Sequence, residues 1–360
     1  MATFYKSEVI SQMRKQALVP VFYNPDREVV LGIIGACVRG GSRIVEFTNR
    51  GEGAADLFGE VIVVCRKEYP TLMVGVGSVR DDVTAGVYLG KGADFIVGPT
   101  FNAKVAEVCN RLAVPYSGGC GSATEINDAE AAGCEIVKVF PGGQVGGPGF
   151  FKAVHGPAKM TSLMPTGGVD ITAESLTDWL ITGGAAACGI GSKLVTKDLV
   201  KKKDFAGIEA NVRATLHRIQ VIKRKILAET GVVFMGAHHI GVPSSDMAAS
   251  AKLLGEIAGF EVMKPPTSTT FVTGSDGAPM EIGPAAKVKE HGHLALEVTD
   301  IDNAIAACAA KGIQVDEKGV RVSSDKTVKA AYLVEGAFGL DMRVHLYCLH
   351  AEDVDKALAK

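Results

Sequence analysis

Eight short apolar runs recur between Leu18 and Leu194 at intervals that suit a strand, a loop and an amphipathic helix, and this repetition narrows the possible folds more than any other feature. The runs are LVPVFY, RIVEFT, TLMVGVG, DFIVGP, VPYSGG, EIVKVF, TSLMPTGG and AACGIG. Eight successive strand–helix units are what a closed parallel barrel needs, whereas an open doubly wound sheet more often stops at about five or six strands. The expected architecture is therefore an α/β (β/α)8 barrel. Nearly every run ends in glycine, proline or a polar residue, which sets Glu46, Thr48, Ser78, Lys138, Thr166 and Ser192 at or just beyond carboxyl ends. In a barrel those ends converge on one face, where active sites are built.

After Ser192 a charged helical segment runs from about Phe205 to Glu229, and Thr230 with Gly231 closes it as a C-terminal glycine often does. The expected domains are residues 1–230, the barrel with its C-terminal helix, and residues 231–360. A chain of 360 residues that is 47% hydrophobic can furnish a core for each. In the second part the texture changes to HHIGV, a helix from Ser245 to about Ala258, FEVMK, TFVTG and PMEIG. Then follow HLALEV, a helix from Ile301 to Lys311, IQV and MRVHLYC, so an α+β pattern, βαβββ, is written twice.

Charged residues make up 22% of the chain and the formal net charge is −2, which excludes a global field for nucleic acid or an anionic membrane surface. An anionic ligand must be bound locally. The basic run Lys201–Lys203 reads as a solvated face. The eight cysteines are scattered without a CxxC pair, mostly inside apolar segments, as in a reduced cytoplasmic protein. Neither a leader peptide nor a membrane span is expected from the hydropathy pattern.

Chemistry enters with EIVKVFPGG, where Lys138 is the only charge within IVKVF at the end of the sixth run. A strand lysine on an outer face simply snorkels into water. One that points into an apolar barrel mouth is destabilised as an ammonium, so its pKa falls and the neutral amine can attack a ketone. The second run supplies Glu46 and Arg50 in VEFTNRG, with Glu46 and Thr48 on one strand face. A carboxylate beside such a lysine can move protons, and an arginine can grip a 2-keto acid through two hydrogen bonds. PTGGVD after the seventh run and GIGSKL after the eighth place glycine N–H groups where barrels commonly hold phosphate.

These motifs resemble the 2-keto-3-deoxy-6-phosphogluconate aldolase family, which includes 4-hydroxy-2-oxoglutarate aldolases, over about Met13–Leu216. The match lies in GGSRIVEFTNR, GCEIVKVFPGGQVGG, PTGGV and GIGS. The resemblance implies a class I aldolase that needs no metal or organic cofactor and releases pyruvate and an aldehyde such as glyceraldehyde 3-phosphate. It carries over Lys138 as the imine former and Glu46 as acid and base. Arg50 and Thr166 become carboxylate ligands, Gly167, Gly168 and Ser192 the phosphate cradle, and Thr48 and Ser78 further substrate contacts. It also implies a homo-oligomer, with a trimer favoured. Ser78 stands where the family usually has threonine, YSGGCGS where it has a proline, and Gly142 where it has alanine or serine. Those loops face the sugar tail, so the resemblance specifies the reaction more closely than the substrate.

The second part is similar to the vicinal oxygen chelate superfamily, which contains glyoxalase I, over about Phe234–Cys348. The likeness is carried by HHIGVPSSDMAASAKLLGEIAGFEV and HLALEVTDIDNAIAACAAKGIQV. It implies a divalent metal held by residues of the first and last strand of each copy, here His239, Glu281, His293 and His345, the last where the family more often has glutamate. Strand alternation turns His238 to the opposite face from His239. Two other readings stand beside these: a phosphosugar isomerase or epimerase barrel, and a C-terminal domain that binds a metabolite or a subunit without catalysis.

Overall fold

The computed structural model describes residues 2–229, 231, 234–250, 261–263, 270–273, 280–283, 292–323, 328–334, 337 and 343–349. Two compact units divide the chain between Ile222 and Lys223, inside the single helix Phe205–Glu229.

The first unit carries β1 (Leu18–Phe22), β2 (Ile44–Thr48), β3 (Met73–Gly77), β4 (Ile96–Val97), β5 (Tyr116–Ser117), β6 (Gly119–Cys120), β7 (Val137–Val139), β8 (Leu163–Pro165) and β9 (Cys188–Ile190). Neighbours pair in parallel from β1 to β5 and from β6 to β8. A parallel bridge from Thr166 to Gly189 and the pairing of β9 with β1 complete the circuit. All eight expected runs are thus present in an α/β fold with parallel strands. The fifth differs from expectation in being broken at Gly118: its first half pairs with β4 and its second with β7. The cause is a close backbone approach, since a Cβ on Gly119 would stand 2.3 Å from the Pro99 carbonyl oxygen.

Helix starts follow strand ends through side-chain caps. Asp26, Asp81, Ser122, Thr172 and Thr196 each accept a backbone N–H of the helix that follows. The N-terminal helix Lys6–Gln16 has a different task. Its Val9 and Met13 join Val19, Ile44, Met73, Phe95, Ile136, Met164 and Ala187 in one buried cluster. These strand residues come from near the amino ends of their strands and from nearly every stave, so the cluster fills the interior and the helix covers that end. Outward residues pack on the helices instead, as where Phe47 meets Phe58 with ring centroids 5.9 Å apart. The opposite end is left to the loops that follow the strands.

The second unit holds β10 (Phe234–Pro243), β11 (Glu261–Met263), β12 (Thr270–Thr273), β13 (Met280–Gly283), β14 (His293–Val298), β15 (Val315–Val322), β16 (Val328–Leu333) and β17 (Arg343–Leu349). They form one mixed sheet in the order β11-β12-β13-β10-β14-β17-β16-β15. Each half has the same internal order: its first strand lies parallel to its fourth, and the third and second follow outward. The halves meet where β10 and β14 pair antiparallel. The doubled βαβββ pattern calls for one more strand than IQV and MRVHLYC supply, and β16, whose buried face carries Ala331 and Leu333, is that strand. The helix expected over Ser245–Ala258 begins at Met247, and its stretch after Ser250 lies outside the described residues.

Helix Ile301–Ala309, capped by Asp300, packs its Ile301, Ala304 and Cys308 with Val344, Leu346 and Cys348. Alternation along β17 then turns His345 and Tyr347 to the other face. Among the described residues no helix is long and apolar enough to cross a membrane. All eight cysteines are free and buried, with burial pushing several thiols, such as Cys37, up to about 12.

Candidate active site

Glu46 lies two residues beyond Ile44 on β2, and Lys138 two beyond Ile136 on β7. Both therefore inherit the inward direction of their core neighbours and rise one layer toward the open end. Each is nearly inaccessible, Glu46 at 1% and Lys138 at 5% exposure, so neither is solvated as an ordinary surface charge. Room for the carboxylate is made by the next strand. Gly75 and Gly77 stand opposite Glu46 and Thr48, and a Cβ on Gly77 would be 1.8 Å from Glu46 Oε1.

Burial drives the Lys138 ammonium below the ordinary lysine pKa, with Glu46 opposing and Arg50 reinforcing that shift. Burial likewise raises Glu46, opposed by Lys138 and Arg50. The two groups are pushed toward each other on the pH scale, which is the condition for a carboxyl to exchange a proton with chemistry at a neighbouring amine. The Nζ of Lys138 lies over the Phe140 ring, 4.9 Å from its centroid. Phe140 was missed in sequence, although its position two residues beyond Lys138 on the same face was the available signal.

Arg50 leaves the end of β2 and donates from Nε to Ser78 Oγ at 3.3 Å, joining the loops after β2 and β3. Ser78 sits there with φ of 64°, in the left-handed region. Thr48 donates its hydroxyl to the Phe22 carbonyl at 3.3 Å, so it ties β2 to β1. Thr166 follows β8 with Oγ1 buried and without a hydrogen-bond partner, as is Glu46 Oε2. Two unpartnered buried polar atoms in one barrel interior are what a site for a polar ligand leaves when the protein alone is considered.

Gly167 and Gly168 have φ of 84° and 83°, and a Cβ on Gly168 would stand 2.7 Å from the Gly143 Cα. The backbone N–H groups of Gly142 and Gly143 donate to Thr166 and Gly167 carbonyls at 2.9 and 3.0 Å, fastening the loop after β7 to the loop after β8. Ser192, exposed after β9, is followed by Lys193, whose ammonium meets Asp170 at 2.9 Å and joins that loop to the one after β8.

A family model described as aldolase, KDPG and KHG aldolase, matches residues 9–211. The chain belongs to the KDPG and KHG aldolase family. It is similar to the 2-dehydro-3-deoxy-phosphogluconate aldolase of Haemophilus influenzae, 29% identical over 218 residues that cover 61% of this chain and 100% of that protein. The enzyme of the same name from Treponema pallidum is 30% identical, over 59% of this chain and 99% of its own. Among solved structures, the 2-keto-3-deoxy-6-phosphogluconate aldolase of Zymomonas mobilis ZM4 with 3-phosphoglycerate is similar at 25% identity and a TM-score of 0.52, over 58% of this chain and 95% of that one. The first unit of this KDPG/KHG aldolase family member is accordingly a carbon–carbon lyase, which decides against the isomerase reading.

The second unit gathers another set of groups. Glu281, His239, His293 and His345 stand on the adjacent strands β13, β10, β14 and β17. His239 Nε2 and His293 Nε2 are 3.1 Å apart, and Glu281 Oε2 lies 3.5 and 3.2 Å from them. A ligand atom of each of the three buried histidines falls within 4.8 Å of the others. Atoms about 2.0–2.1 Å from a tetrahedral metal are separated by roughly 3.3 Å, which the separations among His239, His293 and Glu281 approach. Gly241 clears space, since a Cβ there would meet the His293 ring at 2.2 Å.

Burial, then His239 and His293, depress His345 to about 3, and its Nδ1 has no hydrogen-bond partner. His345 is thus the neutral imidazole that a metal requires. His238 does not point away as strand alternation predicted. Ala237 pairs with Leu296 and His239 with Ala295, leaving His238 as the extra residue of a β-bulge. The bulge turns its ring toward the same cluster, where Nδ1 lies 2.8 Å from His239 Nδ1. Burial and the neighbouring His239 lower His238 to about 4.

Proposed function

We propose that residues 1–230 cleave 2-keto-3-deoxy-6-phosphogluconate, with the galactonate isomer or 4-hydroxy-2-oxoglutarate as related substrates, through an imine on Lys138. The observation that carries the reading is the buried Lys138 amine, held below the usual lysine range in the barrel interior that also holds Glu46. Its neutral amine adds to the C2 ketone, and Glu46 relays protons as the carbinolamine loses water. The iminium takes up the electron pair of the C3–C4 bond. The C4 hydroxyl proton passes to Glu46, directly or through water, and the aldehyde leaves. Protonation of the enamine at C3 and hydrolysis then free pyruvate and Lys138.

Arg50 and Thr166 hold the substrate carboxylate, Gly167, Gly168 and Ser192 the phosphate, and Thr48 and Ser78 shape the mouth between them. The barrel works as a homotrimer in the cytoplasm; free, buried cysteines suit that compartment. Incubation with pyruvate and borohydride is expected to leave one reduced adduct on Lys138, mapped by peptide mass. An adduct spread over surface lysines, or none, rejects the imine.

For residues 231–360 we propose a glyoxalase-like domain that holds a divalent transition metal through His239, Glu281, His293 and His345. The repeated strand order and the orphaned His345 Nδ1 support it. Such an ion would act as a Lewis acid toward a chelating oxygen ligand. The protein stripped with chelator is expected to take up one cobalt(II) per chain. Changing His345 to alanine should weaken uptake by more than the roughly 10–100-fold that loss of an outer-shell partner causes. Equal uptake by this variant removes His345 from the ligand set.

A further inference from the structure

The chain has a single tryptophan, Trp179, which is 3% exposed and set on the π-helical turn Asp178–Thr182, where the Gly183 N–H donates to the Asp178 carbonyl at 2.9 Å. Turns of this kind are rare and frequently mark functional sites. The indole is seated edge-to-face on the buried Phe151 ring, centroids 5.2 Å apart and planes inclined by 74°. Its far edge reaches the loop after β7, where a Cβ on Gly142 would stand 3.4 Å from Cη2. From that seat its Nε1 donates to the Gly168 carbonyl at 3.3 Å.

That bond completes a series. The Thr166 and Gly167 carbonyls accept from the Gly142 and Gly143 N–H groups, so three successive carbonyls of the loop after β8 are tied, two by backbone and the third by the indole. In a trans peptide the N–H points opposite to the carbonyl of the same plane. The N–H groups of Gly167, Gly168 and Val169 are therefore each turned away from a tie, and among the described residues none of the three donates to a protein acceptor. Gly167 and Gly168, both with positive φ, have the least conformational restraint of their own, so order in this stretch comes from the ties. We infer that Trp179 is a positioning residue: its indole N–H holds the third peptide plane and so fixes the Val169 N–H as a donor, with those of Gly167 and Gly168, to the phosphate of the substrate. This inference rests on the reading of the loop as the phosphate cradle. Loss of the tie costs selectivity for the phosphorylated acid over the same acid without its phosphate.

The test uses the full chain. Because Trp179 is the sole tryptophan, supplying 3-benzothienylalanine during expression exchanges one ring N–H for sulfur and alters no other residue. The ratio of kcat/KM for the phosphorylated acid to that for its unphosphorylated counterpart is expected to fall by roughly 3–10-fold, the worth of one ordinary hydrogen bond, and chiefly through KM. Trp179→Phe, which keeps a ring against Phe151 without a donor, should lose selectivity in the same direction. An unchanged ratio in the sulfur analogue overturns the inference. A wild type that does not prefer the phosphorylated acid overturns the phosphate reading, and the inference with it. A second measurement needs no variant. The lone indole N–H gives one nitrogen–proton resonance, which inorganic phosphate should shift saturably as it polarises the Gly168 carbonyl through the Val169 N–H. No shift at phosphate concentrations that compete with substrate overturns the inference, and phosphate that neither shifts the signal nor competes overturns the phosphate reading.

Discussion

Replacing Lys138 by methionine is expected to abolish turnover, by on the order of 10⁵-fold or more, and to eliminate the borohydride-trapped pyruvate adduct. Methionine has a similar length and sits comfortably in the apolar surroundings of Phe140, so the circular dichroism spectrum should be unchanged. Stability should nevertheless become pH-dependent. Glu46, already raised by burial, loses the opposing charge of Lys138 and is left with Arg50. A carboxyl whose folded pKa lies above its unfolded value is favourable below the unfolded pKa and loses that contribution as pH rises through the folded one. The variant should therefore melt progressively earlier than wild type as pH is raised across that window, and Glu46→Gln added to it should relieve the difference. Substantial aldol cleavage by Lys138→Met, measured with a coupled pyruvate assay, would remove the imine from the mechanism.

The second large effect is expected from Glu46→Gln, which preserves shape but cannot shuttle protons. Turnover should fall by roughly 10²–10⁴-fold, the usual contribution of a positioned acid–base group. Pyruvate should still bind, because Arg50 and Thr166 are untouched, and slow trapping on Lys138 should still be detectable. The rate of trapping carries a further sign. Burial, the largest influence on Lys138, favours the neutral amine, and Glu46 opposes it. Removing the carboxylate should lower the Lys138 pKa further, so the rise of trapping with pH should begin earlier in the variant than in wild type. An unchanged turnover rate in single-turnover measurements would take Glu46 out of the proton relay.

Much of this was legible before any coordinates. A lysine isolated in IVKVF and a glutamate in IVEFT each sit two residues from an apolar position, and strand parity carries the inward direction from one to the other. The glycine pair after the seventh run was legible as a turn, and Gly167 and Gly168 both have positive φ. Strand β16 was called for by the doubled βαβββ pattern but given no residues; it lies between two other strands near the sheet margin.

The sequence by itself determined the order of strands in the barrel and the inward-facing carboxylate and lysine, which follow from local periodicity and residue chemistry that each segment carries with it. The family and the four residues that meet in the C-terminal cluster came instead from the resemblance of its motifs to known families. Tertiary structure alone decided that the fifth strand hands over from β4 to β7 at Gly118, because the break depends on how closely the Pro99 backbone approaches. It alone placed Phe140 against the Lys138 ammonium. It also brought His238 round to His239, since a bulge is a mismatch in count between two strands far apart in sequence, and neither strand records it alone.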